Sequence, residues 1–293
     1  MMTERIDQCY LCGDQLLDQY KTITDHFGSK ESFPLIRCKT CETVYTNPRP
    51  DQNSILTYYK SNGYISHGDK VTPIFDKLYR TAQSINFKSK KRILEKYTLN
   101  RQHLDYGCGN GAFLNFLRKN QWGVDGIEPD VDARKNALDR YSLSLKSNYK
   151  ELSEDKLYSS ISLFHVLEHV HSLEETLQAL ITRLDKNGVL VLALPNYKSH
   201  DAQHYGDFWA GYDVPRHLYH FSQKSIHQLA KTFGLNIVAT HPMIFDSYYV
   251  SLLSEQYRTG RKKYASAILR GYQSNRKAKS SGEYSSLIYI LSP

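Results

Sequence analysis

The chain has 293 residues, 40% of them hydrophobic and 12% aromatic, with a net charge of +8. That composition excludes global disorder. Its longest apolar run, "VLVLALP" at 189–195, falls well short of the roughly 18 residues that a membrane-spanning helix needs. The start, "MMTERIDQCYLCG", has no apolar signal core, so a soluble, cytoplasmic protein with no membrane span is expected.

Taken in order, residues 1–50 form a cysteine-bearing unit that ends in "TNPRPD", where two prolines and an Asn punctuate the chain. Residues 51–100 read as a helical linker or lid, with apolar positions such as Ile74, Leu78, Ile93, Leu94 and Tyr97 at helical spacing. In its loop "YYKSNGYISHGD", Tyr64 and His67 are expected to face a site. From 101 to 293 strands alternate with helices. "RQHLDY", "GVDGIE", "SLSLKS", "SISLF", "NGVLVLALPN", "LNIVATH" and "SSLIYILSP" read as strands. Between them "NGAFLNFLRKNQ", "DVDARKNALDRY", "SLEETLQALITRL" and "SQKSIHQLAKTFG" read as helices. Asp130 and Ser172 stand at N-cap positions, and Glu175 follows Ser172 at capping-box spacing. This alternation predicts an α/β fold with a largely parallel sheet covered by helices.

Four of the five cysteines pair off as Cys9–Cys12 and Cys38–Cys41. Two CxxC knuckles supply four thiolates, the donor set of a tetrahedral zinc ribbon. With every position filled by protein, the expected Zn2+ is structural. The fifth, Cys108, lies in "LDYGCGNG" (104–111).

That stretch is a strand running into a glycine turn and then a helix. An acid, Glu128 in "GIEPD", stands at the end of the next strand. The arrangement belongs to a doubly wound nucleotide site, in which the acid accepts from ribose hydroxyls. The spacing discriminates between ligands. Gly107, Gly109 and Gly111 give G-x-G-x-G with Asp105 just ahead. An acid beside the turn repels a pyrophosphate, which favours bare amides, but it suits an ammonium group. A ribose at one end and an ammonium at the other describe S-adenosylmethionine.

Here the chain resembles the class I S-adenosylmethionine-dependent methyltransferases, on "LDYGCGNG", "GIEPD", "SLFHVLEHV" and "NGVLVLALPN" in that order. The resemblance implies a Rossmann-like seven-stranded sheet with helices on both faces. It implies that Asp105, Gly107, Gly109 and Gly111 contact the methionine part and Glu128 the ribose, with Pro129 beside it. Asn148 and Tyr149 would flank the adenine, and Phe164 and His165 would line the mouth shared by cofactor and acceptor. A zinc ribbon ahead of this fold is similar to the arrangement in some sugar and rRNA methyltransferases.

Methyl transfer needs a positioned nucleophile and, for a protonated acceptor, a base. His217 in "GYDVPRHLYHFS" and His165 are the candidate catalytic residues, and Glu168, His169 and His171 cluster in "FHVLEHVH". The aromatic-rich 196–221 segment suits a carbohydrate ring or another flat acceptor. The eight basic residues of 257–280, unaccompanied by any acid, carry the charge excess of the whole chain. They leave open nucleic acid as a partner, and with it an RNA methyltransferase. The expectation is a methyltransferase acting on a small molecule or carbohydrate. The alternatives are the RNA enzyme and a non-catalytic zinc-ribbon scaffold.

Overall fold

The structure is a computed structural model. It describes residues 2–59, 73–153 and 155–293. Tyr64 and His67 lie outside the described residues.

In chain order the elements are β1 (Thr3–Glu4), β2 (Leu17–Thr24), β3 (Ser32–Cys38), β4 (Val44–Thr46), β5 (Arg49–Pro50), α1 (Leu56–Tyr59) and α2 (Pro73–Tyr97). Next come β6 (Gln102–Tyr106), α3 (Ala112–Lys119), β7 (Gly123–Ile127), α4 (Val131–Tyr141), β8 (Tyr158–Phe164), α5 (Leu173–Ile181) and β9 (Leu184–Pro195). The remainder is α6 (His200–Tyr205), β10 (Tyr219–His220), α7 (Gln223–Thr232), β11 (Asn236–Pro242), α8 (Asp246–Thr259), α9 (Tyr264–Ser281) and β12 (Ser286–Ser292). The chain divides into two compact units. Unit 1 comprises 1–65, 167–171 and 193–289; unit 2 comprises 66–166, 172–192 and 290–293.

Unit 2 holds a sheet in the order β9-β8-β6-β7. β6 pairs in parallel with β7 on one side and β8 on the other. Parallel strands buried on both faces read as apolar runs, and β8 is buried from Tyr158 through Leu163. α3 lays Phe113, Leu114 and Leu117 into the core. α4 starts where Asp130 accepts from the Ala133 amide at 2.7 Å. The Ser172 cap of α5 does not form; its intended partner Glu175 accepts instead from the Tyr149 hydroxyl. "SLSLKS", read above as a strand, makes only a single parallel bridge, Ile127 to Lys146. Among the described residues the α/β sheet strands therefore number six, β6 to β9 with β11 and β12, and that bridge stands where a seventh was expected.

Unit 1 is built on a four-stranded sheet, β10-β4-β3-β2, with β4 antiparallel to both β3 and β10. Here also β11 lies next to β12. The aromatic residues of 196–221 are its core. Tyr197, Tyr205, Trp209, Tyr212, Tyr219 and Phe221 are buried, and Phe208 alone among them is exposed. The expectation of an aromatic acceptor platform thus gives way to packing, because each ring removes a large apolar area from water. The basic segment falls on the end of α8 and on α9, which pack on each other through small residues. Ser247, Ser251 and Ser254 on α8 and Ala267, Gly271, Ser274 and Ala278 on α9 are buried. A Cβ on Gly271 would come within 2.9 Å of the Tyr248 Cα, which shows how closely the two helices approach.

Candidate functional site

The glycine turn follows β6 directly. The Gly107 and Cys108 amides both donate to the Ile127 carbonyl, at 2.8 and 3.1 Å, and bind the turn to the end of β7. Gly107, Gly109 and Gly111 all have left-handed φ, 75°, 56° and 71°. The first two are glycine for different reasons. A Cβ on Gly107 would stand 2.4 Å from Val166 Cγ2, whereas one on Gly109 would meet nothing within 4 Å. The turn is packed from below at Gly107 and open above Gly109. Cys108 faces inward and packs with Val124 and Leu145 against Leu114, Ala137 and Leu143; burial pushes its thiol well above the ordinary range. It fills space in this cluster.

Glu128 closes the turn. Its Oε2 accepts from the Gly109 amide at 2.8 Å and its Oε1 from the Asp130 amide at 3.0 Å. A carboxylate offers about four lone-pair sites, so each oxygen keeps capacity for a further donor. Burial raises the Glu128 carboxyl above its usual range. The Arg134 guanidinium donates to the carbonyls of Glu128 and Pro129, both at 2.7 Å, and fixes that corner.

Asp105 is 5% exposed. Ser162 Oγ donates to its Oδ1 at 2.6 Å, and Oγ also lies 3.2 Å from His103 Nε2. Since the Ser162 proton goes to Asp105, His103 Nε2 carries the proton it gives to Ser162. His103 Nδ1 then accepts from Ser160 Oγ at 2.8 Å. Burial pushes Asp105 up to about 6 and His103 down to about 3. This polar ladder was missed from sequence, although its signal is there. His103 and Asp105 are two apart on β6, Ser160 and Ser162 two apart on β8, and period two puts each pair on one face.

The remaining positions of unit 2 are less uniform. Asn148 is exposed; its Oδ1 accepts from the Lys150 amide at 3.0 Å and caps a short turn. Tyr149 is tied to Glu175. Phe164 packs edge-on against Phe113, and Lys90 Nζ sits 3.6 Å from its ring centre. His165 has φ 57°, a left-handed conformation that few non-glycine residues adopt and that collects at functional sites.

In unit 1, His217 is buried, and its Nδ1 lies 2.9 Å from the Gly211 carbonyl. A carbonyl only accepts, so Nδ1 carries the proton and Nε2 the lone pair. His217 meets His169 edge to face, with ring centres 4.6 Å apart. His169 Nδ1 is 3.0 Å from the Arg216 carbonyl and 2.9 Å from the Tyr59 hydroxyl. Burial, with His217 beside it, pushes His169 down to about 4, so it is neutral near pH 7. His171 is engaged elsewhere, with Nε2 3.1 Å from the Pro50 carbonyl.

The four cysteines of unit 1 converge, with all Sγ atoms within 4.8 Å of one another. Cys9 and Cys41 are 3.4 Å apart and Cys12 and Cys38 3.5 Å. A tetrahedron with metal–sulfur bonds of about 2.3 Å has edges of about 3.8 Å, so the donors fit zinc. The two knuckles match. The Gly13 amide donates to the Cys9 carbonyl at 2.8 Å and the Glu42 amide to the Cys38 carbonyl at 2.9 Å. Gly13 and Glu42 both have φ above 60°. No disulfide joins any of the cysteines.

Fold and turn together define an α/β protein with a nucleotide-type glycine loop and a carboxylate at its rim. Residues 78–240 match the methyltransferase domain family, and the chain belongs to it. It is similar to the ubiquinone biosynthesis O-methyltransferase of Rickettsia prowazekii (strain Madrid E), 26% identical over 161 residues, which are 50% of this chain and 62% of that protein. The corresponding protein of Rickettsia conorii (strain ATCC VR-613 / Malish 7) is 28% identical over 102 residues, 32% of this chain and 34% of that protein. The chain thus spans less than two thirds of the length of these curated relatives. Among solved structures it is similar to a SAM dependent methyltransferase from Archaeoglobus fulgidus. The TM-score is 0.46 and the identity 17%, covering 74% of this chain and 97% of that one. No helix among the described residues is long and apolar enough to cross a membrane.

Proposed function

We propose that the chain is an S-adenosylmethionine-dependent methyltransferase acting on a small molecule or carbohydrate. The observation that carries this reading is the Gly109–Glu128 hydrogen bond at the rim of a turn with open space above Gly109. The relatives named as ubiquinone O-methyltransferases support a small acceptor with an oxygen nucleophile. In this reading 1–50 is the zinc ribbon, 51–100 the helical linker or lid and 101–293 the methyltransferase domain. Cys9, Cys12, Cys38 and Cys41 hold a structural Zn2+.

S-adenosylmethionine supplies a methyl group activated by its sulfonium. Asp105, ionised above about pH 6, is assigned to its ammonium, and Gly107, Gly109 and Gly111 let the backbone approach. The remaining lone pairs of Glu128 accept from the ribose hydroxyls, with Pro129 against the sugar. Asn148 and Tyr149 are assigned to the adenine edge and Phe164 to the apolar wall. His217, whose Nε2 has the lone pair, and His165 are the proposed acceptors of the nucleophile's proton.

Calorimetry tests the reading. Wild-type protein should bind S-adenosylmethionine, and Glu128→Ala should weaken that binding at least tenfold. No binding by wild type, or none of the weakening, overturns it.

A further inference from the structure

We infer that Glu168, His169 and His217 form a binding site for one divalent transition-metal ion, separate from the four-cysteine site. One donor atom from each of the three lies within 4.8 Å of the other two. Sequence spacing gives no hint of this set. It is assembled by the Leu218 amide, which donates to the Glu168 carbonyl at 2.7 Å, and by Thr46 Oγ1, which donates to the His217 carbonyl at 2.7 Å.

The tautomers are set for ligation. The Nδ1 atoms of His169 and His217 each face a backbone carbonyl, those of Arg216 and Gly211. A proton on Nδ1 satisfies each carbonyl, and a Tyr59 hydroxyl can share that of His169. Both Nε2 atoms then keep their lone pairs. Metal-bound histidines characteristically donate their other ring N–H to a carbonyl or carboxylate in this way. The Glu168 side chain, in a residue 1% exposed, adds an oxygen donor.

Two imidazoles and one carboxylate select by chemistry. Calcium and magnesium take oxygen ligands, whereas imidazole suits zinc, cobalt, iron and nickel. Three protein donors also leave at least one coordination position open to an oxygen ligand. The four-thiolate site, by contrast, is closed. With the ion bound, His217 Nε2 is a ligand; in the metal-free protein the same lone pair is open to the nucleophile's proton. The metal site does not depend on methyl transfer, because metal uptake is read without turnover.

The test adds Co2+ to full-length protein whose thiolate site is already loaded with zinc. The expected result is one Co2+ per chain, with visible d–d absorption and no thiolate-to-cobalt charge-transfer band. Glu168→Gln, which keeps the side-chain size, and His217→Ala should each weaken Co2+ uptake at least tenfold. Circular dichroism and zinc content confirm that the variants fold. Any one of three results overturns the inference: no Co2+ taken up by wild type, uptake with a charge-transfer band alone, or equal uptake by wild type and Glu168→Gln.

Discussion

Gly109 and Glu128 are joined by a hydrogen bond of 2.8 Å from the glycine amide to Oε2. The two residues are 19 positions apart in sequence, and each reads there as an independent ligand contact. In the structure the acid holds the turn through its hydrogen bond to Gly109; in the proposed reading it also meets the ribose, so it would act in two ways at once. Replacing it with Gln keeps an acceptor for only one of the two amides, those of Gly109 and Asp130, and removes the charge. A hydrogen bond to a charged group contributes about 1.5–3 kcal/mol, and about 1.4 kcal/mol is tenfold in affinity. Glu128→Gln is therefore expected to weaken S-adenosylmethionine roughly ten- to hundredfold by calorimetry. Affinity within twofold of wild type would show that the carboxylate serves the turn alone.

The contrast between Gly107 and Gly109 separates stability from binding. Alanine at Gly107 drives a Cβ into Val166, so Gly107→Ala should lower the melting temperature markedly. Alanine at Gly109 meets nothing and incurs only the left-handed backbone strain of about 1–2 kcal/mol. Gly109→Ala should stay folded yet lose cofactor affinity, since the methyl group takes the space assigned to ligand. Thermal melts with and without S-adenosylmethionine measure both effects. A Gly109→Ala protein stabilised by the cofactor as strongly as wild type would remove the ligand from that space.

Asp105 gives a pH signature. Burial raises its folded pKa to about 6 from an unfolded value of 3.8. The folded state then binds the proton more tightly between those values, so the residue's contribution to stability is greatest below 3.8 and is lost as pH rises towards 6. Cofactor binding runs the other way, because an ammonium needs the ionised carboxylate. Affinity for S-adenosylmethionine should rise by up to about tenfold per pH unit below 6 and level off above it. Asp105→Asn should flatten the profile. Ser162→Ala, which removes the donor to Oδ1, should move its midpoint upward. Calorimetry from pH 5 to 8 checks all three, and a wild-type profile already flat across pH 6 would dissociate Asp105 from the ammonium.

What the sequence disclosed depended on whether the physics was local. β6, the glycine turn, α3 and the acid ending β7 were legible because backbone sterics and capping act over a few residues. Asp130 caps α4 as read, whereas the Ser172 side chain makes no cap bond and the Glu175 carboxylate accepts from Tyr149. α8 and α9 were not resolved as a packed pair, since their contact is made of Ser, Ala and Gly. Small residues carry no hydrophobic periodicity, so the stretch shows only its basic surface. The meeting of Glu168 and His169 with His217 was hidden for a different reason. It rests on long-range pairing through Leu218 and Thr46, which no spacing in the chain announces.

For the cysteines, the expected outcome is one zinc per chain by metal analysis, beyond any metal at the histidine cluster. Cys38→Ser should release it to a chromogenic chelator and lower the melting temperature, because metal binding and folding of such a unit are coupled. A protein purified under reducing conditions with no zinc, and with an unchanged melt after chelation, would leave the four thiols as packing alone.

Arg216 provides the last prediction. Its Nη2 donates to Asp25 Oδ1 at 2.8 Å and to Asp213 Oδ1 at 2.7 Å, and Nε donates to Asp213 at 3.0 Å. Burial works to raise the Asp25 carboxyl, but Arg216 and the amides of Gly28 and Ser29 outweigh it and hold it below the ordinary range. A depressed carboxylate contributes stability above its unfolded pKa and loses it as pH falls. Lysine keeps the charge but cannot span both acids with a planar fork. Because removing one partner of a buried pair costs about 3–5 kcal/mol, Arg216→Lys should cost somewhat less and Arg216→Met the full amount. Urea melts at pH 7 measure the loss. The gap between wild type and Arg216→Met should narrow as pH falls below 4, where Asp25 no longer needs its partner; a gap that stays constant with pH would mean that Arg216 acts by packing on Phe27 and not by charge.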